Sequence, residues 1–389
     1  GRNAWRMEEF QHDWDNATFD DVGTGETMQL ILRMAEADRD PRYLDAARRS
    51  VDFVLASQYD NGGWPQRWPV QKPFNHHGHA DYTGYITFND EVACKNIEFL
   101  QLAYRLLGDE RIPTSIARAM QVHVATQQPA PQAGWAMQHT LDMKPAAART
   151  YEPLALTTHT TADNVRALMA FYRETGDRRF LARIPEALDW LESVRLTDDQ
   201  VKNGRAFPTY VEIGSNRPLY VHRRGSNVVN GEYYSDYDPG NVIGHYGQTR
   251  AINLQKLRDE YTALAALDPA QVKRDSALKS ATRGPLPRYF MQRIGEVSDL
   301  NLSANGKTPA ELVASLNADG YWPTPLVATS HPYRGDGAAT PPAGDFRTTR
   351  VGDESDTSPF IADTPVIGIS TGTYIEHMSR LIEALRAAE

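Results

Sequence analysis

The chain has 389 residues, in which 41 lysines and arginines stand against 50 aspartates and glutamates, for a net charge of −9. This acidic balance argues against nucleic acid as the main partner, because binding to phosphates needs a basic face. A hydrophobic content of 41% is enough for a large core, and no apolar run is long enough to span a membrane.

The single cysteine, Cys94, excludes a disulfide bond within the chain. Its place in an apolar helical stretch favours a small buried residue over a catalytic thiol. No signal peptide is visible, but the sequence starts at Gly1 without a methionine. We therefore expect a mature or trimmed form of a secreted or periplasmic protein.

Pairs of helices are predicted along the chain from the helical spacing of apolar residues. Three pairs come first, followed by a last one, over residues 28–37 and 43–58, 94–107 and 114–127, 161–175 and 180–194, and 248–266 and 373–388. Short turns separate the helices within each of the first three pairs.

A similar loop follows the second helix of the first two pairs. Gln58 is followed by Gly63-Trp64-Pro65-Gln66, and Gln127 by Gly134-Trp135-Ala136-Met137-Gln138. A repeated helix pair with a Gly-Trp loop indicates a helical array. Closed into a ring, the hairpins would form a mainly α, α/α toroid with little β-structure, as one domain over residues 1–389. Its inner helix ends and loops would line a cleft.

The segment 282–361 is rich in Gly, Pro, Thr and Asp and predicts long loops with some short helices. Disorder is the alternative for residues 335–344. Strand signals are sparse, although residues 206–213 and 218–223 could form a hairpin.

Two loops carry side chains suited to sugar binding. Aromatic faces such as that of Trp64 stack on pyranose rings, and Asn89 and Asp90 could read hydroxyls or hold a hard cation. The simpler alternatives are a partly buried Trp64 and an Asp90 that only caps the next helix. The loop with His76, His77, His79 and Asp81 has spacing that a transition metal could use, but a solvated loop is more common.

These motifs resemble the pectate lyases of polysaccharide lyase family ten. The resemblance is carried by motifs in the family's order: Gly62-Gly63-Trp64-Pro65-Gln66, Ile86-Thr87-Phe88-Asn89-Asp90, Thr18-Phe19-Asp20, Gln138-His139 with Lys144-Pro145, Arg149-Thr150-Tyr151-Glu152, and Pro218-Leu219-Tyr220. The matches extend from about Asp15 to Arg224, over half of the chain.

The resemblance implies a toroid with a substrate cleft and calcium-dependent cleavage of polygalacturonate by β-elimination. It places the family's Asn-Asp pair on Asn89 and Asp90, and its cleft aspartate on Asp142. Asp90 and Asp142 would hold Ca²⁺, which neutralises the uronate carboxylate. The family's arginine and glutamate fall on Arg149 and Glu152, and Arg149 or Arg350 could hold substrate carboxylates bidentately.

The resemblance also implies an arginine as the base, and here the sequence departs from the family. Aligned without a gap from Pro218, the family's arginine falls on His222, with Arg223 and Arg224 next, and the Phe-Tyr-Asp expected after it is absent. We favour Arg223 because of the family and keep His222 and Arg224 as alternatives. His222 or Tyr220 would be chemically easier bases, because arginine has a pKa above about 12.

Two other functions remain open. A hydrolase on uronides could use the same toroid with two carboxylates, for example Asp90 and Asp142. A non-catalytic protein that binds acidic polysaccharides would keep Trp64 and Trp68 and show no turnover. A terpenoid-type toroid ranks last, since its aspartate-rich motif is not found near a matching helix.

Overall fold

Helix hairpins form the first half of the molecule. The computed structural model describes residues 16–20, 23–38, 40–70, 75–76, 79–149, 151–224, 232–240, 242, 246–274, 276, 278, 285–286, 302–326 and 366–388. The hairpins are α1 (Gly23–Asp38) with α2 (Pro41–Ser57), α3 (Val92–Leu107) with α4 (Ile112–Ala125), and α5 (Thr158–Thr175) with α6 (Ile184–Ser193). Each hairpin packs against the next, so the three predicted pairs are confirmed.

Local sequence sets the ends of these helices. Asp40 accepts a hydrogen bond from the Arg42 amide and Pro41 occupies the first turn, so α2 begins there. Gly108 and Gly176 end α3 and α5 in the left-handed conformation. A Cβ at position 176 would lie 2.6 Å from the Pro269 carbonyl oxygen, so the turn also needs glycine for space.

In the part of the chain that the structure describes, four further helices follow: α7 (Leu254–Ala265), α8 (Pro269–Val272), α9 (Pro309–Ala314) and α10 (Thr371–Ala388). The array continues through α7, which packs against α5 and α6, whereas α10 packs against α9. The main partners of α7 and α10 therefore differ from the pairing that the sequence predicts. Of the loop-rich segment 282–361, the structure describes residues 285–286 and 302–326, and positions 335–344 lie outside its described part.

The described strands are short and lie mostly in the loops between helices. They are β1 (Ala17–Thr18), β2 (Arg67–Trp68), β3 (Asn75–His76), β4 (His79–Ala80), β5 (Ile86–Thr87), β6 (Gln138–His139), β7 (Pro145–Ala146), β8 (Ala155–Thr157), β9 (Phe207–Pro208), β10 (Tyr210–Glu212), β11 (Pro218–Arg224), β12 (Glu232–Asp236), β13 (Thr249–Arg250), β14 (Pro323–Leu326) and β15 (Val366–Ile369). The fold is thus a mainly α toroid with little sheet, as predicted.

Two small antiparallel sheets position the candidate site. One has the order β5-β6-β7, and the other has the order β12-β11-β10-β8. Tyr210 of β10 pairs with Leu219 of β11, which confirms the predicted hairpin. On its other edge β11 pairs with β12, where Tyr220 lies opposite Asp236 and Arg224 lies opposite Glu232.

The Gly-Trp loops fasten one hairpin to the next. The Gln58 amide donates to the Gly62 carbonyl and to that of Ser115 in α4, at 3.0 Å each. Gln127 repeats this arrangement, donating to the carbonyls of Ala133 and Arg183 at 3.0 Å. These glutamines therefore hold the loop of one hairpin against the second helix of the next.

The tryptophans of these loops belong to the core. Trp64 and Trp135 are both 0% exposed, and their indole N–H groups donate to the carbonyls of Val54 and His123 at 2.9 Å. The predicted substrate-binding role of Trp64 is wrong, because a fully buried indole has no face left to stack on a sugar.

The apolar side chains of the described helices pack into this core. None of those helices is both long and apolar enough to cross a membrane. The one cysteine is largely enclosed at the start of α3, where burial raises the pKa of the Cys94 thiol. A thiol with a raised pKa is a poor nucleophile, which agrees with the structural reading of this residue.

Candidate active site

A strained turn of 3₁₀ helix (Asn89–Glu91) presents the Asn-Asp pair just before α3. Asp90 and Glu91 have φ values of 54° and 57°, the left-handed region that non-glycine residues rarely adopt. Such residues cost on the order of 1–3 kcal/mol each and persist where surrounding contacts hold them. Here the Phe88 and Asn89 amides both donate to the Met137 carbonyl, at 2.9 and 3.2 Å.

Asp90 does not cap α3. The residue at the cap position is Glu91, and its side chain makes no capping hydrogen bond. The Asp90 carboxylate instead accepts a hydrogen bond from the side-chain Nδ2 of Asn89 at 2.7 Å. The interpretation of Asp90 as only a helix cap is therefore excluded.

Arg149 and Glu152 form a second buried turn that faces the first. The Arg149 side chain is 4% exposed and that of Glu152 is 0% exposed. Arg149 donates to Glu152 twice, from its backbone amide and from Nη1, at 2.9 Å each. Its Nη2 donates to Asp20 at 2.8 Å and lies 3.6 Å from Asp90. The guanidinium thus binds carboxylates from three separate segments of the chain.

Asp20 and Asp90 form a buried carboxyl pair that shares a proton. Burial, the hydrogen bond to Asp20 and the charge of Asp20 together raise the pKa of Asp90 to about 10. Burial alone would raise the pKa of Asp20 as well. The hydrogen bond from Asp90 and the charge of Arg149 more than offset this effect and hold the Asp20 pKa below its usual value. Asp90 is therefore the protonated partner at neutral pH.

Tyr246, which follows β12 in the chain, completes a cluster with Asp20, Asn89, Asp90, Arg149 and Glu152. Its hydroxyl donates to Glu152 Oε1 at 2.8 Å and accepts from Asn89 Nδ2 at 3.2 Å. The Arg149 Nη1 atom lies 3.4 Å from the same hydroxyl. Tyr246 has a φ of 63°, so this position is also held in the left-handed region. Burial and the charge of Glu152 raise the Tyr246 pKa well above its usual range.

The cluster has a surplus of acid over base. Three carboxyl groups, from Asp20, Asp90 and Glu152, share the Arg149 guanidinium. With Asp90 protonated, the four groups together still have a net charge of −1. Such a set of oxygen atoms suits a hard cation, and a bound cation would displace the shared proton. Among the described residues, however, no three acidic, histidine or cysteine side chains form a complete metal cage.

The structure brings together four of the predicted site residues, Asn89, Asp90, Arg149 and Glu152. Asp142 lies elsewhere, on the exposed turn between β6 and β7, with a side chain 60% exposed. Its carboxylate pairs with Lys144 Nζ at 2.7 Å and accepts from the Thr140 hydroxyl.

The candidate bases lie along β11. Tyr220 and His222 are each 5% exposed. The His222 ring stacks on Tyr234 with centroids 5.1 Å apart, and its Nε2 lies 3.0 Å from Asp236 Oδ1. For Arg223 and Arg224 the structure describes only the backbone, which pairs with Tyr233 and Glu232.

Two predictions lie wholly or partly outside the described residues, the carboxylate-binding role of Arg350 and the metal site on the histidine loop. Arg350 and His77 fall there, and so do the side chains of His76 and His79, whose backbones pair across β3 and β4. Asp81 accepts from the amide and hydroxyl of Thr83 at 2.8 Å. A metal on this loop stays a prediction.

Sequence reasoning missed two members of the cluster as site residues. Asp20 did have a signal, since it ends the Thr18-Phe19-Asp20 motif. Tyr246 had none, because it follows the last recognisable motif and only the fold returns it to Asn89 and Glu152.

Comparison with solved structures supports the fold. A family 10 polysaccharide lyase from Cellvibrio cellulosa superposes with a TM-score of 0.51 and 17% identity, over 65% of this chain and 82% of that one. A mutant family 10 polysaccharide lyase from the same organism, in complex with trigalacturonic acid, gives 0.48 and 17% over 64% and 81%. No curated protein matches the sequence.

Comparison with family models identifies the chain more directly. The model of the pectic acid lyase family matches residues 2–235 of the 389. Because this match spans more than half of the sequence, the chain belongs to the pectic acid lyase family and is a polysaccharide lyase.

Proposed function

We propose that the protein cleaves a galacturonate-containing polymer of the pectate class by Ca²⁺-dependent β-elimination in the cleft at Asp90. The observation that carries this proposal is the convergence of Asp20, Asn89, Asp90, Arg149 and Glu152 into one buried, net acidic cluster. Five residues from three distant segments, with Asp90 in strained backbone, are costly to assemble for stability alone. We further propose that the enzyme works outside the cytoplasm, where such polymers occur.

The charge of the cluster favours a divalent cation in the reaction. A uronate carboxylate that approached the site would meet a net negative charge, and Arg149 is already engaged by Glu152 and Asp20. Ca²⁺ held at Asp90 would neutralise the uronate and so acidify the proton on C5. Its remaining ligands would come from the substrate and from water.

We propose Asp20, rather than Asp142, as the second carboxylate beside the cation. Asp20 shares a proton with Asp90 and is buried with it. Asp142 is exposed and neutralised by Lys144. Asn89 and Glu152 would fix the direction of the Asp90 carboxylate, while Arg149 would hold the acidic side chains together rather than clamp the substrate.

For the base we propose Arg223. Leu219 and Val221 pack in a small cluster with Tyr151, against which Tyr246 also packs. Successive residues of a strand alternate between its faces, so position 223 shares the face of positions 219 and 221. His222 belongs to the other face and is held by Asp236. We expect Arg223→Ala to remove activity, and wild-type turnover in that variant would move the role to His222 or Arg224.

A glycoside hydrolase on the same toroid is less consistent with this geometry. The paired carboxyl groups of such enzymes stand about 5–10 Å apart, to leave room for the sugar and a water molecule. Asp20 and Asp90 are in hydrogen-bond contact, and Asp142 lies on an exposed turn. A binding protein without turnover would have no need of the strained turn at Asp90.

The test is a panel of acidic polysaccharides incubated with the purified protein, with Ca²⁺ and with a chelator. β-Elimination creates an unsaturated uronide that absorbs in the near ultraviolet, whereas hydrolysis creates reducing ends without that absorbance. We expect ultraviolet product from pectate that chelator abolishes and Ca²⁺ restores. Reducing ends alone would show a hydrolase, and full rate in chelator would remove calcium from the mechanism.

A further inference from the structure

A groove with a volume of about 460 Å³ runs between α3 and α5, beside the acidic cluster. It begins at Asn89 and Asp90, at the N-terminal ends of both helices, and reaches Glu174 near the end of α5. Its floor contains apolar side chains, among them Ile97 and Ala167. This volume falls in the usual range for a small-ligand site, and a sugar ring would fit within it.

Two polar atoms in this groove make no hydrogen bond within the described part of the chain. They are Asn164 Nδ2, on a residue 2% exposed, and His159 Nδ1. A buried polar group without a hydrogen bond is unfavourable, so a ligand group that pairs with it would be stabilised there. An amide N–H donor and an imidazole nitrogen are complementary to a hydroxyl, which both donates and accepts.

The rim of the groove disfavours an anion. Its charged side chains are the acids Glu91, Glu98, Asp163 and Glu174 and the bases Lys95 and Arg166, a net charge of −2. Both bases are already paired. Lys95 Nζ lies 3.0 Å from Glu98 and 3.7 Å from Glu91, and Arg166 lies 2.6 Å from Asp163.

We propose that this groove binds an uncharged sugar residue that neighbours the uronate held at Asp90. Asn89 and Asp90 line both the groove and the acidic cluster, so consecutive residues of one polymer would occupy the two. The inference rests on the proposed lyase function and refines its substrate. The preferred polymer is one in which uronate adjoins a neutral sugar, rather than an unbroken run of uronates.

The experiment compares polygalacturonate with a polymer that alternates galacturonate and rhamnose, at saturating Ca²⁺. Ala170 is an exposed residue of α5 that lines the groove, and Ala170→Trp would fill the space without touching the acidic cluster. The matched control is Ala117→Trp, at an exposed alanine of α4. Glu98→Lys changes the net charge of the rim from −2 to zero.

We expect the wild type to show a kcat/KM at least about 10-fold higher on the alternating polymer. Ala170→Trp should lose that preference while its rate on polygalacturonate stays within about 3-fold, and Ala117→Trp should behave as wild type. Glu98→Lys should raise the rate on polygalacturonate several-fold. Equal wild-type rates on the two polymers, or an equal effect of Ala170→Trp on both, would overturn the inference.

A binding measurement separates this inference from the lyase proposal. Calorimetry with an alternating galacturonate–rhamnose tetrasaccharide and with tetragalacturonate needs no turnover. If neither polymer is cleaved, the proposed function fails. Tighter binding of the alternating probe that Ala170→Trp abolishes would still support the groove, and equal binding of both probes would refute it.

Discussion

The neighbours of Asp90 favour its protonated, neutral form, whereas its proposed role as a cation ligand needs the charged carboxylate. Its carboxyl group is buried beside Asp20, which raises its pKa to about 10. A carboxyl group with a raised folded-state pKa binds its proton more tightly in the folded than in the unfolded state. Its contribution to stability is therefore present at low pH and is lost as the pH rises from about 4 towards 10. The native protein thus carries a stability cost at neutral pH that a bound cation would relieve.

Asp90→Asn tests both the stability cost at neutral pH and the role of Asp90 as a cation ligand. The amide resembles the protonated side chain, so we expect the free energy of unfolding at pH 7 to rise by about 1 kcal/mol or more. Turnover should fall roughly 100-fold, because an amide is a weaker cation ligand than a carboxylate. Urea unfolding and the ultraviolet assay measure the two effects, with exposed Asp45→Asn as the control. A destabilised variant, or one with full turnover, contradicts the assignment.

We expect Tyr246 to act as a positioning residue rather than a catalytic one. Its hydroxyl joins Glu152 to Asn89, so Tyr246→Phe leaves the ring in place and frees both partners. We expect kcat to fall about 10-fold or more, with little change in KM and a higher Ca²⁺ concentration for half-maximal rate. Tyr237→Phe, at an exposed tyrosine, is the matched control. An unchanged Ca²⁺ dependence would mean that Tyr246 only fills space.

At the scale of elements, the glutamines that follow α2 and α4 do more than end these helices. Gln127 is 6% exposed and ties its own loop to the Arg183 carbonyl beside α6. Gln127→Ala leaves two carbonyl groups without this donor, which should cost about 2–4 kcal/mol of unfolding free energy. Chemical denaturation measures this loss, and Gln255→Ala, at an exposed residue of α7, is the control. A loss no greater than in the control would show that the loops are held by packing alone.

Helix α4 contributes a pH dependence of its own through His123, which is 0% exposed and packs against Phe88. Burial lowers the pKa of His123 to about 4. The unfolded chain therefore binds a proton below about pH 6.5 that the folded chain does not, and stability falls as the pH drops from 6.5 to 4. The slope for one group is about 1.4 kcal/mol per pH unit.

His123→Gln removes this titration. We expect its urea midpoint to fall less steeply between pH 6.5 and 4.5 than that of the wild type, whatever its stability at pH 7. The buried His139, whose pKa burial lowers to about 3, supplies a further acid-sensitive term in both proteins. Parallel pH profiles for the variant and the wild type would show that His123 does not titrate on unfolding.

At the scale of the whole molecule, an acidic protein is proposed to act on a polyanion. The chain has a net charge of −9, and its candidate site is acidic as well. Enzyme and substrate should then meet through a shared cation, so that Ca²⁺ and pectate each strengthen the binding of the other. Linkage requires the two effects to be equal in the binding equilibria.

This coupling is measurable by calorimetry with the Arg223→Ala variant, which should bind substrate without cleaving it. We expect the Kd for trigalacturonate to fall at least 10-fold from Ca²⁺-free to saturating conditions, and the Kd for Ca²⁺ to fall by the same factor with trigalacturonate. Mg²⁺ is the control, because its smaller and stricter octahedral shell suits this site less well. Independent binding would exclude a cation shared between enzyme and substrate.

Taken alone, the sequence determined the helices, their pairing into the first three hairpins, and the motifs that identify the family. These depend on spacing and on turn residues such as Gly108 and Gly176, which act over a few positions of the chain. It also named Asn89, Asp90, Arg149 and Glu152. It misjudged Trp64, because an aromatic residue in a Gly/Pro-rich loop has the same composition whether it faces a sugar or the core.

Only the tertiary structure decided which of these residues meet. It joined Asp20 and Tyr246 to the cluster across more than 60 positions of chain, and it placed Asp142 on an exposed turn beside Lys144. It also set the protonation of Asp90, because a pKa depends on burial and on neighbouring charge. Neither quantity is written in the local sequence, since both arise from distant segments brought together by the packing of the hairpins.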